Sequence, residues 1–109
     1  LASETCALET IGAEFVRDVE PGEIVTITPK EGIISDKSHC LPKEKEARCI
    51  FEYIYFARPD THFDGVSVYQ SRILAGKYLA MDSPVEADLV VGVPESGNAA
   101  AQGYAEPPL

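Results

Sequence analysis

The segment ADLVVGVPESGN, residues 87–98, decides the fold class that the sequence predicts. Residues 87–93 form a short run rich in β-branched side chains, which is typical of an interior parallel strand. Pro94 and Gly97 then turn the chain, and residues 98–105 begin a helix. In open α/β sheets ligands bind at the carboxyl end of a strand, so this loop is the first candidate site.

Further patterns precede this segment and complete a parallel α/β unit. Residues 50–57 are apolar or aromatic except for Glu52, which predicts a strand buried on both faces. Residues 66–81 predict a helix that Pro84 ends. Its apolar residues form two adjoining stripes, one of Tyr69, Ile73, Gly76 and Ala80 and one of Leu74, Tyr78 and Met81. The second half therefore predicts strand, helix, strand, loop and helix, a βαβ unit that leads into another helix.

The first half is turn-rich and predicts a β-hairpin. Residues 23–28, EIVTIT, alternate β-branched side chains as a strand does, and Lys30-Glu31-Gly32 is typical of a turn into a second strand. Another short strand is predicted over residues 13–19, and a helical turn over residues 6–10. The fold class is therefore α/β overall, with a β-rich first part.

Residues 35–48 are predicted to be a solvated connector. Their charges alternate in sign, Pro42 interrupts any helix, and the Glu-Lys mixture at residues 43–46 predicts a solvent-facing surface.

Length and charge exclude several classes of protein. The chain has 109 residues, enough for one domain or parts of two, and a net charge of −9. So acidic a surface repels phosphate backbones and anionic membranes, which argues against nucleic-acid and membrane binding. No apolar run approaches the roughly 18 residues of a membrane helix, and no signal peptide is recognisable. Because the three cysteines are odd in number and lack metal-site spacing, we expect reduced thiols and a cytoplasmic protein.

Residues 94–98, PESGN, combine several features of a phosphate site. The start of a helix offers N–H groups and the positive end of the dipole, which suit an anion. Gly97 allows close backbone approach, Ser96 supplies a hydroxyl for an anion or a hydrated metal, and Glu95 could help to hold a divalent cation. The alternative is a plain turn in which Ser96 or Asn98 caps the helix. The segment matches neither a Walker loop nor a GxGxxG motif.

Other polar groups give weaker signals. Arg58-Pro59-Asp60 favours a turn with a surface ion pair over a functional strand end. His39 and His62 lack metal-ligand spacing and favour the surface. Cys49 favours a buried structural thiol over a cluster ligand. Asp88 lies at the amino end of the predicted strand, away from the ligand edge, and is assigned no catalysis.

The sequence resembles one enzyme family over nearly its whole length, and three stretches carry most of the resemblance. They are CIFEYIYFARPD at residues 49–60, DGVSVYQSR at residues 64–72 and EADLVVGVPES at residues 86–96. They resemble the amidophosphoribosyltransferases, also called glutamine phosphoribosylpyrophosphate amidotransferases. Residues 2–24 and 99–106 resemble the same family.

The resemblance implies a glycosyltransferase (a pentosyltransferase and glutamine amidotransferase) of purine biosynthesis. It implies that residues 1–48 are the C-terminal part of an N-terminal-nucleophile glutaminase domain and its connector. Residues 49–109 would begin a type I phosphoribosyltransferase domain. The partners implied are phosphoribosylpyrophosphate and glutamine, which give phosphoribosylamine, glutamate and pyrophosphate.

Few family roles carry over to residues of this sequence. Ser96 matches the position linked with magnesium, and Pro94, Glu95, Gly97 and Asn98 match the rest of the pyrophosphate-binding loop. Cys49 matches a ligand of the [4Fe–4S] cluster found in some members. The implied cofactors are therefore Mg²⁺ and, in some members, an iron–sulfur cluster.

The resemblance also implies that essential groups lie outside this sequence. The catalytic cysteine of the glutaminase would lie upstream, and the acidic ribose-phosphate loop would lie downstream. We therefore expect the 109-residue chain to be an internal fragment that is inactive alone and associates as a homo-oligomer through uncovered strands. The alternative is a non-catalytic association module derived from a phosphoribosyltransferase.

Overall fold

The computed structural model describes residues 1–42 and 47–106, so the solvated surface expected at residues 43–46 lies outside the described residues. The described chain is mixed helix and strand and divides into two compact units. One unit holds residues 1–15 and the residues from 49 onward, and the other holds residues 16–48. No helix in the described ranges is both long and apolar enough to cross a membrane.

The unit of residues 16–48 contains the predicted hairpin. Strand β1 (Ile24–Thr28) pairs antiparallel with strand β2 (Gly32–Asp36). Gly32 has a φ of +70°, a conformation that glycine adopts without steric cost, at the turn between the strands. The prediction of a strand over residues 13–19 is wrong, because no segment among the described residues pairs with them. The Arg17 guanidinium within them binds the Glu23 carboxylate instead.

In the other unit, the predicted helical turn forms helix α1 (Thr5–Thr10). The Thr61 hydroxyl donates to the buried Cys6 Sγ at 3.3 Å, and the His62 N–H donates to Thr5 Oγ1 at 3.0 Å. These bonds tie α1 to a very short antiparallel ribbon of β3 (His62–Phe63) and β4 (Val66–Ser67).

The prediction of a buried strand over residues 50–57 is wrong. Residues 50 and 51 are helical and continue into a π-helix (Glu52–Phe56), where the Ala57 N–H donates to the Glu52 carbonyl at 3.0 Å. Ile50, Phe51, Tyr55 and Phe56 are exposed. A short apolar run does not by itself distinguish a strand from a helix, and here the backbone bonds close locally.

The predicted central helix forms as helix α2 (Val68–Asp82). It begins two residues later than expected, because Val66 and Ser67 pair in β4 and the Ser67 hydroxyl caps the helix by accepting from the Gln70 N–H at 3.3 Å. Its buried residues are Val68, Arg72, Ile73 and Gly76, so only part of the first predicted stripe is covered. The second predicted stripe, Leu74, Tyr78 and Met81, is exposed.

Residues 87–93 are not in a strand, although the sequence predicted an interior one. A strand needs a hydrogen-bonded neighbour, and no segment in the described ranges pairs with these residues. Both sheets of the described chain are two-stranded and antiparallel, so the parallel βαβ arrangement is not formed within it. The last predicted helix is present as α3 (Ser96–Ala105).

Helices α2 and α3 pack with their backbones in close contact. A Cβ added to Gly76 would lie 1.9 Å from the Ala100 carbonyl oxygen, and one added to Gly103 would lie 1.9 Å from that of Ile73. Only glycine fits at either position. The buried apolar residues of this unit include Cys6, Ala57, Val68, Ile73 and Ala99.

Candidate functional site

The loop of residues 94–98 leads directly into α3, as the sequence predicted, but the helix begins earlier than expected. Glu95 is the N-cap residue, without a side-chain cap, and Ser96 is the first helical residue. Neither Ser96 nor Asn98 therefore caps the helix. Among the described residues, the half-buried Ser96 has no hydrogen-bond partner for its hydroxyl, so this group is available to a ligand.

Two backbone donors expected to face an anion are already occupied. The Gly97 N–H donates to the Val93 carbonyl at 3.0 Å, and the Asn98 N–H donates to the Glu95 carbonyl at 3.2 Å. The loop thus closes on itself as a tight turn. Its polar side chains, rather than these two N–H groups, are what it presents to a ligand.

Gly92 makes this tight turn sterically feasible, and the sequence analysis missed it. A Cβ on Gly92 would lie 2.6 Å from the Gly97 carbonyl oxygen, whereas a Cβ on Gly97 would meet nothing closer than 3.7 Å. The close approach between the two backbone segments therefore requires a glycine at residue 92 rather than at residue 97. An isolated glycine inside a strand-like run, as in VVGV, is the signal that could have identified it.

A second segment reaches the same place as the loop. Arg58, Pro59, Asp60 and Glu95 line an open depression of about 490 Å³. The sequence suggested each of the two segments separately, and the structure brings them together.

The predicted ion pair of the Arg58-Pro59-Asp60 turn is present. Arg58 Nη2 donates to Asp60 Oδ2 at 2.7 Å, and Arg58 Nε donates to Asp60 Oδ1 at 3.1 Å. The hydrogen bond from Arg58 lowers the pKa of the Asp60 carboxyl, so this carboxyl stays ionised. In the described chain the Glu95 carboxylate has no such partner and remains available on the other wall.

The available oxygen atoms fit a magnesium–phosphate ligand better than a metal held by protein alone. Mg²⁺ prefers oxygen ligands and is commonly bound through one or two carboxylates together with substrate phosphates. The Ser96 hydroxyl and the Glu95 carboxylate are oxygen groups of this kind. Within residues 1–42 and 47–106, no three side chains of the His, Cys, Asp and Glu types form a group that could hold a metal ion.

The cysteines do not form a cluster site within the described chain. All three are free thiols, with Cys6 buried, Cys40 half-buried and Cys49 exposed. The interpretation of Cys49 as a buried structural thiol is therefore wrong, because the segment that it precedes is an exposed helix rather than a buried strand. A [4Fe–4S] cluster needs four ligands, and Cys49 offers one.

Two histidines and Asp88 are the remaining polar residues that the sequence analysis considered. His39 and His62 are exposed, which confirms their assignment to the surface. Asp88 is exposed in a bend and is not among the residues that line the depression beside Glu95.

Similar proteins were found at high identity. The chain is 52% identical over 106 residues to the amidophosphoribosyltransferase of Archaeoglobus fulgidus, covering 97% of this chain and 22% of the relative. It is 51% identical over 107 residues to that of Mycobacterium tuberculosis, covering 97% of this chain and 19% of the relative. No family model matches the sequence.

Solved structures agree with these relatives. A structure described as the allosteric regulatory enzyme of purine biosynthesis matches with a TM-score of 0.85 and 48% identity, over 94% of this chain and 22% of that one. The glutamine phosphoribosylpyrophosphate amidotransferase from B. subtilis, complexed with ADP and GMP, matches with a TM-score of 0.83 and 47% identity, over the same shares. The chain spans about a fifth of the length of these proteins and, along almost its whole length, is similar to an internal segment of amidophosphoribosyltransferases.

Proposed function

We propose that these residues serve an amidophosphoribosyltransferase, which converts phosphoribosylpyrophosphate and glutamine to phosphoribosylamine, glutamate and pyrophosphate. The relatives carry this enzyme name at about 50% identity along almost the whole chain. The observation that carries the proposal is the loop of residues 94–98, where Glu95 lines a charged depression and the hydroxyl of the next residue, Ser96, has no partner among the described residues. The proposed location is cytoplasmic.

The proposed domain division is residues 1–48 for the end of a glutaminase domain and residues 49–109 for the start of a phosphoribosyltransferase domain. One of the two compact units ends at residue 48, and the other resumes at Cys49 while also including residues 1–15. The change of unit at residues 48 and 49 supports a domain junction there.

We propose that residues 87–93 join a parallel sheet in the whole enzyme. Leu89, Val91 and Val93 are 76%, 77% and 81% exposed, whereas the residues between them, 90 and 92, are half-buried. An alternation with a period of two is typical of a strand with one open face. Strands from the rest of the enzyme would pair with the edges of this segment, helices would cover its open face, and residues 94–98 would lie at the carboxyl edge of the sheet.

In this arrangement the loop binds the pyrophosphate end of the substrate. In this proposal the Ser96 hydroxyl contacts a phosphate oxygen or a water of a hydrated Mg²⁺, and the Glu95 carboxylate accepts hydrogen bonds from such waters. When bound, Mg²⁺ neutralises part of the charge that develops on the departing pyrophosphate. Such a local site is needed because a net charge of −9 opposes the approach of a polyphosphate.

The proposal can be tested with a chimeric enzyme, called here the whole enzyme. In it these 109 residues replace the segment that they match in the Archaeoglobus fulgidus relative. We expect release of pyrophosphate and glutamate that depends on both phosphoribosylpyrophosphate and glutamine. A folded chimera that releases neither product would contradict the proposal and favour the non-catalytic association module.

A further inference from the structure

Arg72 is a buried cation whose hydrogen bonds go to backbone carbonyls rather than to a carboxylate. It is only 4% exposed on helix α2. Its Nε donates to the Tyr53 carbonyl at 2.7 Å, and its Nη2 donates to the Ala57 carbonyl at 2.9 Å. Burying a guanidinium is costly unless its donors are satisfied, so these two bonds determine where the side chain lies.

One carbonyl belongs to Tyr53, within the π-helix, and the other belongs to Ala57, the residue that follows it. Carbonyls in the last turn of a helix lack intrahelical donors, and a cation there also interacts favourably with the helix dipole. Ala57, one of the two bonded residues, is 2% exposed and directly precedes the turn of residues 58–60. The guanidinium therefore fixes the entry to the turn that lines one wall of the depression.

The exit from the same turn is held by the first residues of α2. The Val68 N–H donates to the Thr61 carbonyl and the Tyr69 N–H donates to the Pro59 carbonyl, each at 3.1 Å. The Thr61 N–H closes the turn by donating to the Arg58 carbonyl at 3.0 Å. Helix α2 thus holds the turn at both ends. Arg72 bonds to the entry of the turn, and the Val68 and Tyr69 N–H groups bond to its exit.

The opposite wall of the depression is also held by α2. Glu95 is the N-cap of α3, and α3 packs on α2 without a gap at Gly76 and Gly103. Both walls therefore extend from the same helix. A shift of the turn at residues 58–60 would change its separation from Glu95, although Arg72 does not line the depression.

We propose that Arg72 is a positioning residue for the use of phosphoribosylpyrophosphate. Its planar fork spans two carbonyls and holds the turn of residues 58–60 at a fixed distance from Glu95, so that the depression is formed before the substrate arrives. The inference rests on the proposed function, because it assigns the depression to the phosphoribosyl-transfer side of the enzyme.

The test compares Arg72→Met and Arg72→Lys in the whole enzyme. We expect Arg72→Met to raise the KM for phosphoribosylpyrophosphate roughly ten- to hundredfold, because a misplacement of about 1 Å can cost as much as a hundredfold. Arg72→Lys keeps the charge and can bond one carbonyl at a time, so it should recover part of the loss. The control is Lys77→Met, which removes another cation of α2, one paired with Glu106 at 2.8 Å, and should leave this KM unchanged.

A purely structural role for Arg72 would give a different result. It would lower the melting temperature and the amount of active enzyme, hence the apparent kcat, while the KM stayed at its original value. That result would overturn the inference and leave the proposed function intact. If Arg72→Met does not fold, Arg72→Lys decides. A raised KM for phosphoribosylpyrophosphate with faster amide exchange at residues 58–61 supports the inference, and an unchanged KM overturns it. An unsubstituted whole enzyme that cannot use phosphoribosylpyrophosphate would overturn the proposed function, and the inference with it.

Discussion

At the scale of single residues, the Glu23 carboxylate joins several parts of the hairpin unit. It accepts hydrogen bonds from Arg17 at 2.6 and 2.9 Å, from the Ser35 hydroxyl at 2.5 Å and from the Glu20 N–H at 2.8 Å. The bonds from Arg17 and then Ser35 hold the pKa of Glu23 well below its usual range. The sequence did not predict this cluster, because the strand pairing brings Ser35 beside Glu23.

Acidification should therefore loosen the hairpin. The pKa of Glu23 is lower in the folded protein than in the unfolded chain, so its stabilisation is present above the ordinary carboxyl range and is lost as the pH falls through the lowered pKa. The protection of the β1 and β2 amides, measured as exchange relative to the intrinsic rate at each pH, should therefore fall between about pH 4 and pH 2. In Glu23→Gln, exchange should already be faster at neutral pH.

The control for this experiment is Glu31→Gln, which removes a carboxylate at the exposed hairpin turn. It should leave the neutral-pH exchange of β1 and β2 as it is in the unsubstituted protein. Equal exchange in Glu23→Gln and Glu31→Gln would show that the cluster around Glu23 does not hold the hairpin.

The candidate site was partly predictable at the residue scale. The loop of residues 94–98 and the Arg58–Asp60 ion pair could be identified because each is a local pattern. Their joint depression could not be, because it depends on how α2 carries both walls. The use of the Gly97 and Asn98 N–H groups within the turn was equally unpredictable, because it depends on the loop conformation.

At the scale of elements, periodic patterns predicted the helices well and the apolar runs poorly. Helices α2 and α3 could be identified because turn residues and side-chain spacing act within one segment. The helix over residues 50–56 could not, because an apolar run fits a buried strand equally well. Its carbonyls are satisfied partly by Arg72, which lies in a different element.

The contact between α2 and α3 gives the sharpest test at this scale. In Gly76→Ala the new methyl would lie 1.9 Å from the Ala100 carbonyl oxygen, so the helices must move apart. We expect a loss of unfolding free energy on the order of 1–3 kcal/mol, despite the better helix propensity of alanine. Chemical denaturation of the 109-residue protein measures it.

The matched control is Ala75→Val, which adds carbon to the neighbouring, exposed position of the same helix. It should cost less than about 0.5–1 kcal/mol, because only helix propensity changes there. A Gly76→Ala protein as stable as the unsubstituted one would contradict the close packing of α2 on α3.

At the scale of the whole molecule, the apolar surface is large for a chain with a net charge of −9. The aromatic side chains of Phe51, Tyr55 and Phe56 are 52%, 64% and 67% exposed. The Phe56 ring centroid lies 6.2 Å from that of Phe51 and 5.3 Å from that of Tyr55. Exposed apolar patches of this kind commonly mark surfaces that associate.

The 109-residue protein should therefore self-associate in a concentration-dependent way. Light scattering behind size-exclusion chromatography should show a mass that rises with concentration above the 11.8 kDa of one chain. Phe56→Ser should shift this equilibrium toward the monomer, because it removes an exposed ring of the cluster. A constant monomeric mass at high concentration would contradict the prediction.

The central claim is that residues 94–98 act on the phosphoribosylpyrophosphate side of the enzyme, and Ser96→Ala in the whole enzyme tests it most directly. Losing a hydroxyl that contacts a charged ligand should reduce transition-state stabilisation by about 1.5–3 kcal/mol. This loss corresponds to a roughly ten- to hundredfold lower kcat/KM for phosphoribosylpyrophosphate. Glutamine hydrolysis should be largely retained, and the control Ser83→Ala, at the end of α2, should leave both activities unchanged. The measurement is steady-state kinetics with phosphoribosylpyrophosphate and magnesium varied. The predicted result is a loss confined to Ser96→Ala, whereas an unchanged kcat/KM for that substrate would contradict the account and make Ser96 only the first residue of a helix.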